Sequence, residues 1–169
     1  MIKNTRPFKR DWKPWTSQLE GKRVLVVTEF SDSIRFQYSR KEKIARWKIS
    51  ELPEFELITY QMINTMCGNS HGFNDFFEAY KKVRDDILKI DFDIVLIGAG
   101  AYGCNLSADI KRSGRGAIQL CSYTPLIFGV IGQRYIEQGV LDEFGTKDWI
   151  RPIEKKPDYY KEIEGGCYW

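Results

Sequence analysis

The chain is short of metal ligands. It has one histidine, His71, and four cysteines, Cys67, Cys104, Cys121 and Cys167, none of them in Cys-x-x-Cys spacing. A zinc constellation is therefore excluded, and the cysteines read as reduced thiols of a cytosolic protein. Long hydrophobic runs are also missing: the longest are about five residues, against roughly 20 for a membrane span. No apolar stretch follows the first basic residues, so no signal peptide is expected, and a soluble, cytoplasmic protein is. There is no P-loop lysine motif and no nucleophile elbow. No RNA- or DNA-binding signature accompanies the basic residues, so nucleic acid is not an expected partner.

What is present suits one packed domain. Apolar residues make up 43% of the chain and aromatics 14%, a globular balance rather than a disordered one. The net charge of +3 is modest but uneven, because Lys3, Arg6, Lys9, Arg10, Lys13, Lys22 and Arg23 crowd the start. Residues 1–21 read as a basic aromatic arm, with Trp12 and Trp15 tucked against the domain and a helical piece at Thr16 to Leu19. A basic arm can suit nucleic acid, anionic lipid or a polyanionic glycan, with a solvated arm as the competing reading, and it is one candidate surface for a protein partner. Residues 22–150 form the domain. Residues 151–169 are a polar tail whose aromatic end implies docking on the domain and a second surface for a protein partner.

The stretch from Asp91 to Gly103 organises the chain. Ile94, Val95, Leu96 and Ile97 form an unbroken apolar run, as in a strand covered on both faces. Gly98-Ala-Gly-Ala-Tyr-Gly103 then fits G-x-G-x-x-G, and Asn105 to Ser113 has helical spacing before Gly114. Gly98 permits the tight turn, Gly100 lets a ligand approach the backbone, and Gly103 lets the helix pack close. The helix start suits phosphate.

Around this unit the pattern alternates. Lys22 to Thr28 is a first strand, and a helix capped by Ser31 or Asp32 is expected to run to about Arg46. Phe55 to Gln61 is a strand nearer the sheet edge. Phe73 to Ile90 is a helix whose apolar stripe includes Phe73, Phe76, Phe77, Tyr80, Val83 and Ile87. Gly116 to Cys121 is a fourth strand, and one or two short helices follow between Pro125 and Gln138. The expected fold is α/β: a Rossmann-like three-layer α/β/α sandwich with a mainly parallel sheet of about four strands in the order 2-1-3-4. In that order the turns 28–33 and 98–103 line one crevice at the switch point, where ligands bind in such sheets.

Candidate residues follow from that crevice. Glu29 and Asp32 stand at its edge as acid, base or metal groups, with a turn residue and a helix cap as the competing reading. Gly98, Gly100, Tyr102, Gly103 and Asn105 would hold phosphate, with Ser31, Ser33 and Gln37 completing the crevice and Arg134 neutralising charge. Asp91 and Asp93 make Asp-x-Asp, but at the opposite end of the strand, and read as a helix-to-strand connection. His71 reads as a solvated loop histidine. Three readings compete for the glycine turn: a dinucleotide, another phosphate-bearing ligand such as a nucleotide-sugar, or packing alone. A nicotinamide site needs a carboxylate after the next strand, and Gln119-Leu-Cys-Ser122 has none, which disfavours an NAD(P) oxidoreductase.

Several of these segments resemble the GT-D-like domain family. They are Phe92 to Gly103, the Ile-Lys-Arg-x-Gly of 110–114, Ala117-Ile118, Leu126-x-Phe-Gly129, Gly132-x-Arg-Tyr135 and the closing Gly-Gly-Cys-Tyr-Trp169, with Leu19 to Val27 and Leu52 to Leu57 upstream. The family is bacterial and accompanies polysaccharide biosynthesis genes. It is similar in fold to GT-D-type glycosyltransferases, which transfer a sugar from a nucleotide donor using a divalent metal. The resemblance implies a nucleotide-sugar or other phosphorylated ligand and glycosyl transfer. The alternative is a non-catalytic interaction or structural subunit of the same pathway. The chain departs from the family in lacking its Asp-Gly-Glu metal motif, in carrying Glu29 where proline is usual, and in Cys121-Ser122-Tyr123, where glycine-rich residues are usual. It reads as a shortened or diverged member.

Overall fold

A computed structural model describes residues 14–44 and 52–169. The expectations for Lys3 to Lys13, including Trp12, and for the stretch 45–51 lie outside the described residues. Four strands form one parallel sheet: β1 (Arg23–Thr28), β2 (Glu56–Gln61), β3 (Ile94–Gly98) and β4 (Gly116–Gln119), in the order β2-β1-β3-β4. The fold is thus the Rossmann-like α/β arrangement that the alternating pattern predicts.

Side-chain alternation along the central strands divides the core in two. Leu25, Val27, Val95 and Ile97 point to one face, where α3 (Phe76–Lys89) and α4 (Gly103–Arg112) bring Ala79, Val83, Ile87, Leu106 and Ile110. Val24, Val26 and Leu96 point to the other, against α1 (Ser31–Tyr38), α2 (Lys41–Ile44) and α5 (Thr124–Ile127), which bring Ile34, Ile44 and Ile127, with Phe128 just beyond. Two short helices, α6 (Gln133–Glu137) and α7 (Val140–Phe144), form a smaller cluster around Ile131 and Tyr135. No helix among the described residues is long and apolar enough to cross a membrane.

Three expectations are corrected. The first long helix is broken: α1 ends at Tyr38 and α2 restarts at Lys41. Its N-cap is Phe30, without a side-chain cap bond, because the Ser31 hydroxyl turns back to donate to Thr28 O and Asp32 pairs with Arg35. Phe77 is 76% exposed and lies outside the buried stripe, which runs through Ala79, Val83 and Ile87. The cap of α3 is Asp75, whose carboxylate accepts the Glu78 amide over 2.8 Å.

At the N-terminal end of the strands, Arg23 ties β1 to β3. Its guanidinium pairs with Asp93 at 2.8 Å and with Asp91, and its amide donates to Asp93 at 2.7 Å. Hydrogen bonding from Arg23 lowers the Asp93 carboxyl to about 2. A carboxyl lowered by folding contributes stability above its unfolded pKa and loses it as pH falls toward the folded one. Arg23→Gln should therefore raise the Asp93 pKa toward its ordinary value and move the acid-unfolding midpoint to higher pH, as read by circular dichroism. An unchanged midpoint would remove this clamp from the acid stability.

Candidate functional site

Thr28 and Gly98 are paired at the C-terminal ends of β1 and β3, so the turns after these strands leave the sheet side by side. A cleft of about 280 Å³ opens there. Thr28, Glu29 and Phe30 line it from β1, and Gly98 and Gly100 from β3. Cys121, Ser122 and Pro125 close it from the turn after β4. Met66 contributes from the loop after β2, while Arg134 and Tyr168 form the far wall.

The cleft brings together only part of the predicted set. Glu29, Gly98, Gly100 and Arg134 line it; the other candidates do not. Asp32 is exposed and held by Arg35. Asn105 is exposed on α4. Tyr102 is buried, with its ring centre 4.6 Å from that of Phe76 and its hydroxyl 2.6 Å from Thr65 Oγ1. Gln37 is buried too, and its Nε2 donates to Gly129 O at 2.9 Å and Asp148 O at 3.1 Å, which fastens α1 to the segments after α5 and α7. Ser31 is spent on Thr28 O. Ser33 is met by the tail: its amide donates to Glu154 over 2.8 Å, its hydroxyl also donates to Glu154, and the Ile153 amide donates back to that hydroxyl over 2.9 Å. The start of α1, a natural anion site, is thus occupied by the chain's own carboxylate.

The three glycines of the turn have different reasons. A Cβ at Gly98 would meet Thr124 Cβ and Oγ1 at 2.8 Å and Cys121 O at 2.9 Å, so close packing, not turn conformation, requires glycine there. A Cβ at Gly103 would meet the Gln119 side chain at 2.7 Å, the close approach expected of it. Gly100 has φ +48° and open space before it, so its backbone is free to face a ligand.

Two charged groups dominate the cleft. Burial raises the Glu29 carboxyl above its ordinary value, opposed by the neighbouring Asn64. Arg134 pairs with Glu164 and sits 5.3 Å from the centre of the Tyr168 ring. Beside them, Cys121 holds φ +51°, a left-handed conformation uncommon outside glycine. Ser122 Oγ lies 2.5 Å from Tyr135 OH. Sequence reasoning missed Cys121, Ser122 and Met66 as lining residues, while Phe30 falls within the turn 28–33 expected there. The signal was present for the first two, which lie in the turn after a strand of a parallel sheet.

A resident divalent metal does not fit. Glu29 is the one carboxylate among the residues lining the cleft, Glu164 beside it is engaged by Arg134, and among the described residues no group of three or more His, Cys, Asp or Glu stands together. Asp91 and Asp93 lie at the other end of the sheet, engaged by Arg23. His71 is exposed, near Asn69, and does not line the cleft. No family model, curated protein or solved structure matches this chain.

Proposed function

We infer that the cleft binds a phosphorylated small molecule, a nucleotide-sugar by the resemblance of the sequence, and that the protein serves glycan assembly. The observation carrying this is the convergence of an open glycine backbone at Gly100 and a guanidinium at Arg134 on one cleft at the switch point of a parallel sheet. Phosphate is the chemistry that both groups suit. If the protein is active, its reaction is glycosyl transfer, with Glu29 as the group that holds or accepts a proton, since burial keeps it protonated to higher pH than an ordinary carboxyl. A metal ion is not part of this reading.

A thermal-shift panel of nucleotide-sugars, nucleoside diphosphates and dinucleotides tests it. At about 100 times its dissociation constant, a ligand stabilises by roughly 2.7 kcal/mol. Gly100→Val should lose the response. Open space surrounds the new Cβ, but a side chain at φ +48° strains the turn. The ligand-free melting curve of the variant is therefore read beside the panel, to separate a lost site from a lost fold. A response to NAD(P) alone would overturn the reading. The second reading, a non-catalytic subunit, is favoured by the tail carboxylates already seated at Ser33 and Arg134. Ligand binding without turnover across sugar acceptors would select it.

A further inference from the structure

Arg134 reaches the cleft from α6, and the last turn of the chain converges on it. Its guanidinium pairs with Glu164 and lies against the Tyr168 ring, and its amide donates to Cys167 O over 3.1 Å. The turn presenting Glu164 is conformationally unfavourable. Glu164 has φ +49°, ahead of Gly165 at +70° and Gly166 at +77°. Glycine adopts this region freely; glutamate does not. The carboxylate is therefore held on the arginine against its backbone preference. The pair is also accessible, with the two side chains 33% and 55% exposed, so it is weak and open to exchange.

We propose that Glu164 occupies the anion subsite of the cleft in the free protein, and that a diphosphate group of the ligand displaces it from Arg134 and loosens the segment from Tyr159 to Trp169. This rests on the cleft being a phosphate site. A carboxylate and a phosphate present the same kind of oxygen edge to a guanidinium fork, and a diphosphate brings more charge. Displacement unseats the tail because Glu164 shares its turn with Cys167 and Tyr168, which contact the same arginine. The exchange makes the tail a reporter of occupancy: closed on Arg134 when empty, released when filled.

Calorimetric titration of inorganic pyrophosphate into the wild type, Glu164→Gln, Glu164→Gly and Arg134→Gln tests the exchange. Removing the competing carboxylate should tighten binding about two- to fivefold. Glu164→Gly also relieves the left-handed backbone, so a gain in both variants is not a folding artefact. Arg134→Gln should weaken binding about tenfold or more. In the wild type, saturating pyrophosphate should speed tryptic cleavage at Lys161. Equal affinity of the wild type and both Glu164 variants, with Arg134→Gln weakened, overturns the displacement and leaves the cleft reading standing. An Arg134→Gln variant that binds normally overturns the subsite itself. Pyrophosphate binding to none of the four proteins overturns the proposal, and a nucleotide-sugar response in the thermal panel would then keep the cleft as a ligand site.

Discussion

Trp169→Ala is expected to lower stability by about 3–5 kcal/mol, the usual cost of emptying a buried aromatic site. The last residue of the chain is only 6% exposed. Its ring meets Phe30 edge-on at 5.5 Å and Tyr160 at 6.3 Å, in a cluster with Ile163. Phe30 and Tyr168 also line the cleft, so the loss extends to its wall. Trp169→Phe separates packing from polarity. The buried indole nitrogen has no hydrogen-bond partner among the described residues, so phenylalanine gives up ring volume but no bond. It should retain most of the stability. Urea denaturation reads both variants, and an unchanged midpoint in Trp169→Ala would mean that the domain does not depend on the seated tail.

Gly98→Val is expected to cost about 3 kcal/mol, at the upper end of the range for overpacking a core. A Cβ there already falls at 2.8 Å from Thr124 and 2.9 Å from the Cys121 carbonyl, before the two methyl groups of valine are added. The obstacle is partly backbone, which no rotamer change can clear. Relief requires β3 to move from the turn after β4, and that turn carries Cys121 and Ser122 into the cleft. The contrast with Gly100→Val is the informative part. Gly98→Val should lower the melting temperature by a core clash in the absence of any ligand, whereas Gly100→Val carries local turn strain alone and should lose ligand response at a smaller cost in melting temperature. If both variants behaved alike, the assignment of one glycine to packing and the other to the ligand would fail.

The sheet was legible because its signals are local. Val24 to Val27 and Ile94 to Ile97 are unbroken apolar runs, as buried parallel strands must be, and the strand order follows from ordinary crossover rules. The position of the cleft followed from that order. Its side chains were less legible, because a polar residue beside a predicted crevice has two ways of being satisfied. Gln37 and Ser33 spend their hydrogen bonds on partners 92 to 121 residues away, at Gly129, Asp148, Ile153 and Glu154. No window of sequence contains both ends of such a bond. Tyr102 sits in the glycine turn, yet its ring serves the core beside Phe76. Residues whose role was conformational or electrostatic at short range, such as Gly100 and Glu29, were the ones that sequence placed in the cleft.

The bond from Ser33 to Glu154 has a consequence for the order of synthesis. A chain leaves the ribosome from its N-terminus, and domains fold as their segments emerge. β1 appears early but must wait about 70 residues for Asp93, which clamps it to β3. α1 waits longer still, since its first turn is completed by a residue 121 positions downstream. The segment through Tyr168 must therefore be made before the cleft has both its walls. A chain ending near Ile150 would lack the Glu154 carboxylate at the start of α1 and the Glu164 partner of Arg134. Emergence of Glu154 and Tyr168 is the event that closes the cleft.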